Sequence, residues 1–245
     1  MTAEKPYISI IVSAYNEEES IQAVLDDLEA YVHPVDSVEY ILVNDGSDDA
    51  TGKIMEDWRQ RNRITGGKTR VFHHKTRSGL GTAIITGVSF ALGEYILTMD
   101  GDGQHRAVDI KKITDELVRS NGILDYVIGK RDSRSHRDWK RAPGKKLLSS
   151  IMKKVTKGKI YDFNSGLRAM RKTIFLEWMH LFPKGFGTSI STTIIAANTG
   201  LNGKEIPVVM PPRKGGKSRV NQLRDGFLVI WMILKMMKIL RNQGN

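Results

Sequence analysis

The chain has 245 residues, 40% of them hydrophobic and none of them cysteine. That length supports one large domain or a domain with an appendage, and the missing cysteines exclude disulfides and thiolate metal sites. The net charge of +11 is uneven: residues 130–160 hold 12 Lys/Arg against two Asp, residues 213–245 hold eight against one, and the remainder is mildly acidic. Two basic segments on an acidic body point to a localised anionic partner, whether phosphates, anionic lipid or nucleic acid, with solvated lysine-rich faces as the plain alternative. Residues 1–9 lack an apolar stretch of signal-peptide length, which argues against secretion.

Residues 7–13 form a β-branched run that reads as a buried strand ending at Ser13-Ala14-Tyr15-Asn16-Glu17. A helix with apolar Ile21, Val24, Leu25 and Leu28 follows. Residues 39–43 make a second strand, stopping at Asn44-Asp45-Gly46-Ser47, and Asp49 or Thr51 caps a helix through Ile54, Met55 and Trp58. A short third strand at 70–73 leads through Ser78-Gly79-Leu80-Gly81 into a helix over 82–92, whose small residues allow close packing on a sheet. The fourth strand runs into Met99-Asp100-Gly101-Asp102-Gly103-Gln104-His105. Alternating strands and helices at this spacing predict a doubly wound, mostly parallel α/β sheet with helices on both faces.

Taken alone, Asp100-Gly101-Asp102 is either an acidic turn or a site for a divalent cation carrying phosphates. The other long strands also end in acidic or polar clusters, at Tyr15/Glu17 and Asp45. Right-handed crossovers bring such ends to one sheet edge, where ligands bind in open α/β folds. Three polar strand ends together favour a site.

The second half begins with a helix near 107–119 and a strand at 126–129, followed by the basic segment. Leu147, Leu148, Ile151, Met152 and Val155 recur at helical spacing opposite Lys146, Lys153, Lys154 and Lys157. That stripe suits either an anionic membrane surface or the protein's own core. Asp162 to Arg168 reads as a polar loop leading into a helix with Ile174, Phe175 and Trp178; residues 190–197 read as a helix and 203–209 as an edge-type strand. A basic loop at 211–219 could close over a bound phosphate. The closing segment 227–241 is too short in its unbroken apolar run to span a bilayer, and reads as an in-plane anchor or a dimerising helix, with His105 left to a structural role at a helix entry.

Ser13-Ala14-Tyr15-Asn16-Glu17, Val43-Asn44-Asp45-Gly46-Ser47, Gly79-Leu80-Gly81, Met99 to His105, Gly129-Lys130-Arg131 and Asn164-Ser165-Gly166-Leu167-Arg168 occur in one order. In that order they resemble the family 2 glycosyltransferases of GT-A fold, and among them the dolichol- and polyprenyl-phosphate sugar transferases. The resemblance covers roughly residues 7–220, divided into a nucleotide-sugar half (7–105) and an acceptor half (106–220), with 221–245 as an appended amphipathic interfacial helix. It implies that Tyr15 and Glu17, with Ala14, hold the base and ribose, and that Asp45 contacts base or ribose. Asp100, Asp102 and Gln104, with Gly101 between the acids, resemble the D-x-D-x-Q set that gathers Mg2+ or Mn2+ and the donor diphosphate. Asp102 and Arg131 take the catalytic places, Arg131 near the transferred sugar and the acceptor phosphate. Arg213 and Lys217 resemble a mobile loop over the diphosphate. Lys145 and Ser149, spaced like a family Arg-x-x-x-Ser pair, are assigned to the acceptor phosphate. Ser13 stands where the family's P-x-Y-N-E motif has proline, and Gly101 where alanine is common.

A hydroxyl acceptor needs a general base, whereas a lipid phosphate is already anionic. No carboxylate appears around Phe186-Gly187-Thr188-Ser189, where hydroxyl-acceptor relatives carry an acidic pair. The resemblance therefore implies an inverting, metal-dependent transfer from a GDP- or UDP-sugar to a polyprenyl phosphate, by an enzyme peripheral on the cytoplasmic face of an anionic membrane. Self-association or a membrane-protein partner through 221–245 stays open. Transfer to a glycan or protein hydroxyl is the alternative. A nucleic-acid module is disfavoured because the basic stretches lack interleaved aromatics, and an inactive scaffold because the Asp100/Asp102/Gln104 set is intact.

Overall fold

Seven strands form one sheet in the order β3-β2-β1-β4-β6-β5-β7. The computed structural model describes residues 7–32, 38–64, 68–135, 142–213 and 222–243, without the side chains of 32, 63–64, 142–146, 222–227 and 243. The first half is a run of β-α units: β1 (Ile8–Ala14), α1 (Ile21–Val32), β2 (Val38–Asn44), α2 (Thr51–Ile64), β3 (Lys68–His73), α3 (Leu80–Phe90) and β4 (Tyr95–Asp100). All four strands pair in parallel, with β1 between β2 and β4. Every residue of β1 and β2 is buried, as expected of parallel strands covered on both faces.

Side chains alternate between two cores. Ile8, Ile10 and Val12 of β1 face the core shared with Leu25 and Leu28 of α1 and with Met55 and Trp58 of α2. Ile11 faces the other, with Val88 of α3. Gly87 makes that packing close: a methyl built there would lie 2.6 Å from Ile11 Cγ2.

The second half runs α4 (Ala107–Arg119), β5 (Tyr126–Arg131), α5 (Ala142–Val155), β6 (Arg168–Arg171), α6 (Lys172–Trp178), a 3-10 turn (Met179–Leu181), α7 (Thr188–Asn198), β7 (Gly203–Val208) and α8 (Gln222–Gln243). Here the structure corrects the sequence reading. The loop after Asp162 does not pass straight into a helix; it enters β6, a strand antiparallel to both β4 and β5. Four residues reading Arg-Ala-Met-Arg carry too little periodicity to announce a strand. The third strand also begins at Lys68 rather than 70, and α3 at Leu80 rather than 82.

The apolar stripe of α5 is resolved by its neighbour. Met152 is buried, and Leu148, Ile151 and Val155 pack on the same core as Val229, Met232, Ile233 and Met236 of α8; only Leu147 stands out, 61% exposed. The other side of α8 shows Leu228, Trp231 (57%) and Leu234 (66%) to solvent. Among the described residues, no helix is long and apolar enough to cross a membrane.

Candidate active site

The polar strand ends do converge. Residues at the ends of β1, β2, β4 and β5, with the loop before β6, line one cavity of about 840 Å³.

At the β2 end, Asp45 accepts hydrogen bonds from the Ser78 and Gly79 amides, both at 2.8 Å, and lies 2.7 Å from His74 Nδ1. It thereby anchors the loop from β3 to α3, and Arg77 in that loop sits 4.8 Å above the Tyr15 ring. The amide groups opening α3 are spent within the chain: Gly81 N donates to Gly185 O and Thr82 N to Lys184 O, each at 3.0 Å.

In the middle, β1 and β4 bring three carboxylates together. Asp102 is buried; its Oδ1 accepts from the Gln104 amide at 3.0 Å and its Oδ2 from Arg213 Nη2 at 2.8 Å. Arg213 Nη1 lies 3.3 Å from Glu17 Oε1, so one guanidinium bridges the acids. Burial, the Asp102 charge and the Glu17 charge outweigh Arg213 at Asp100, whose carboxyl is pushed up to about 7. Burial also raises Glu17, with Arg213 opposing and Asp102 reinforcing it. His105 is buried beside this group, and burial lowers its pKa.

Gly101 lines the cavity and is also tightly packed on the opposite side. Its amide donates to Ser13 O and its carbonyl accepts from Ser20 Oγ, both at 2.9 Å. A methyl there would come within 2.9 Å of Ala14 Cβ and Ile21 Cδ1. This chain's glycine in place of the common alanine follows from that contact.

Gln104 points its Nε2 at Pro211 O, 3.2 Å away, tying the β4 loop to the segment that carries Arg213. Arg131 is held by Asp162 through Nε at 2.7 Å and Nη2 at 2.6 Å, a bidentate pair that raises the guanidinium pKa. It still lines the cavity. Ser149 sits exposed on α5, away from the cavity lining among the described residues. The Lys145 side chain and Lys217 lie outside the described residues.

Several lining residues carried no site role in the sequence reading. Arg77, Asn164, the turn from His180 to Phe186, and Leu228, Trp231, Met232 and Lys235 of α8 all face the same space. The cavity is therefore acidic on its sheet side and largely apolar on its α8 side. Trp231 and Lys235 fall at helical i, i+4 spacing, which orders the pair but not its target.

The donor set at Glu17, Asp100 and Asp102 is all oxygen and in excess of its cations, as the raised Asp100 and bridging Arg213 show. That chemistry fits a hard divalent cation. Among the described residues, no group of three or more His, Cys, Asp or Glu side chains is arranged to hold a metal ion by itself.

The architecture is that of GT-A glycosyltransferases. It overlays on a mannosyltransferase from Pyrobaculum calidifontis in complex with GDP-Man and Mn2+ (TM-score 0.62, 20% identity, 86% of this chain and 57% of that one). It also overlays on glucosyl-3-phosphoglycerate synthase from Mycobacterium tuberculosis in complex with Mn2+, UDP-glucose and phosphoglyceric acid (TM-score 0.66, 17% identity, 94% and 79%). Residues 9–178 match the Glycosyl transferase family 2 model, and the chain belongs to that family. It is a glycosyltransferase. Among its relatives is the UDP-N-acetylglucosamine–dolichyl-phosphate N-acetylglucosaminyltransferase of Methanococcus voltae, 31% identical over 95% of this chain and 98% of the relative. The polyprenol monophosphomannose synthase of Mycolicibacterium smegmatis is 24% identical over 86% and 80%.

Proposed function

We propose that this glycosyltransferase moves a sugar from a nucleotide-diphosphate sugar to a polyprenyl phosphate at a membrane surface, with inversion at the anomeric carbon. The observation that carries the reading is the two-sided cavity: three carboxylates on the sheet side, two of them, Glu17 and Asp102, bridged by Arg213, and the apolar Leu228, Trp231 and Met232 of α8 opposite. An anionic phosphate on an apolar chain matches both walls. Two relatives whose names specify dolichyl and polyprenol phosphate acceptors support it.

Tyr15 and Arg77 form the flat end suited to a base, with Asp45 fixing the loop between them. Asp100 and Asp102, with Gln104 beside them, would hold Mg2+ or Mn2+, which when bound screens the diphosphate as its bond to the sugar breaks. Arg213 would exchange Asp102 for a diphosphate oxygen and give it a charge-assisted hydrogen bond. Arg131, oriented by Asp162, faces the acceptor phosphate and holds it in line.

The acceptor needs no base if it is a phosphate. A hydroxyl would need one, and the lining carboxylates have other work: Asp45 is held by two amides and His74, Glu17 and Asp102 by Arg213, and Asp100 is assigned here to the metal. The exposed face of α8 would rest on the bilayer, Trp231 at headgroup level and Lys235 toward the phosphates.

The test is a panel of GDP- and UDP-sugars with a short polyprenyl phosphate and Mn2+ or Mg2+. Label moving into organic solvent supports the reading; transfer confined to free sugars or protein overturns the acceptor.

A further inference from the structure

The basic ends of α5 and α8 flank a groove of about 590 Å³ that shares no lining residue with the active-site cavity. We propose that this groove binds the headgroup of an anionic membrane phospholipid, the phosphate held by Lys154, Lys238 and Arg241. The proposal goes beyond the transfer reaction and rests on the membrane-surface part of the reading above.

Val155 of α5 and Ile233 and Met237 of α8 give the groove its apolar wall, and Lys154, Lys238 and Arg241 give it its charge. All three cations are exposed, and among the described residues none of them makes an ion pair. The sequence supplies no counter-ion nearby: it has no acid from Trp139 to Tyr161 and none after Asp225. Helix dipoles favour a cation in the last turn of each helix, where Lys154 and Arg241 stand. They do not account for an open apolar wall between those cations. Three positive charges around such a wall match a ligand that is anionic at one end and hydrocarbon at the other.

Position says which anionic ligand. Trp231, Leu234, Lys238 and Arg241 recur at i, i+3, i+7 and i+10, so one stripe of α8 runs from exposed apolar side chains into the cations. With Trp231 and Leu234 set into the interface of a bilayer, Lys238 and Arg241 come to headgroup level. The polyprenyl phosphate acceptor fits the groove less well. Its phosphate has to reach the Asp100/Asp102 floor, and that cavity takes a different set of α8 residues, Leu228, Trp231, Met232 and Lys235. Nucleic acid fits poorly too, because no aromatic side chain lines the groove for a base to stack on. A phospholipid of the surrounding bilayer needs neither a stacking platform nor a path to the reaction.

The test is co-sedimentation with phosphatidylcholine vesicles, with and without phosphatidylglycerol, for the wild type and two triple variants. One removes the groove cations (Lys154→Gln, Lys238→Gln, Arg241→Gln). The other removes the same charge from exposed lysines outside the groove (Lys153→Gln, Lys157→Gln, Lys159→Gln). General attraction to a charged surface costs both triples alike, whereas a site costs the groove triple more. The wild type should prefer vesicles with phosphatidylglycerol, and the groove triple should lose about tenfold more binding to them than the control. Both triples should keep the wild-type melting temperature and, in detergent, the wild-type KM for a short polyprenyl phosphate. Equal losses in the two triples, or a groove triple that binds like wild type, overturn the site. A raised KM in the groove triple alone would put the acceptor in the groove and overturn the phospholipid assignment. A wild type that transfers sugar yet shows no preference for phosphatidylglycerol overturns the site alone; one that transfers none to the polyprenyl phosphate overturns the function reading instead.

Discussion

Arg213 reaches Asp102 across 111 residues of sequence, Nη2 to Oδ2 at 2.8 Å, and the same guanidinium lies 3.3 Å from Glu17. A cation supplied by the chain itself therefore sits on the carboxylates assigned to a metal and diphosphate. If the two compete, Arg213→Gln should bind Mn2+ several-fold more tightly than the wild type without nucleotide, yet bind nucleoside diphosphate more weakly. Calorimetric titration of each ligand separates the two effects; Mn2+ affinity that falls with diphosphate affinity would show cooperation instead.

Asp100 gives a pH signature. Its folded pKa is raised from 3.8 to about 7 by burial and Asp102. The folded state then binds more protons than the unfolded chain between those values, so this group's contribution to stability is full below about pH 4 and is lost as pH rises toward 7. Thermal melts in metal-free buffer should show Asp100→Asn more stable than wild type at pH 8 and the difference shrinking toward pH 4. A difference independent of pH would contradict the assignment.

Gly101→Ala places a methyl 2.9 Å from Ala14 Cβ and Ile21 Cδ1. The expected cost is about 1–3 kcal/mol of stability from overpacking, seen as a lowered urea midpoint. An unchanged midpoint would mean β1 and α1 yield without penalty.

The exposed side of α8 predicts vesicle binding. Trp231 and Leu234 are 57% and 66% exposed. Replacing both by Glu should reduce co-sedimentation with anionic vesicles while leaving the melting temperature near that of wild type. Undiminished sedimentation would place the membrane contact elsewhere.

Much of the fold was legible because parallel strands buried on both faces write themselves as apolar runs, as in Ile8–Ala14 and Val38–Asn44. The polar residues ending β1, β2 and β4 were readable for the same reason: they interrupt those runs at one edge. Three features were not. β6 is four residues long and begins with an arginine that is buried, the reverse of what its charge suggests. The α5 stripe showed an apolar face, but periodicity cannot say what covers it; Met152 meets the α8 core. Finally, the Arg213 bridge and the cationic groove between α5 and α8 depend on tertiary distance, which local pattern does not encode.

Sugar transfer to a lipid phosphate is proposed at the Asp100/Asp102 floor. The most direct measurement is the initial rate of transfer from the preferred nucleotide sugar to a polyprenyl phosphate and to the matching polyprenol, in wild type and Asp102→Asn. Product should form with the phosphate alone, and Asp102→Asn should lose about a hundredfold or more in rate. Comparable rates with the alcohol, or an Asp102→Asn enzyme as fast as wild type, would contradict it.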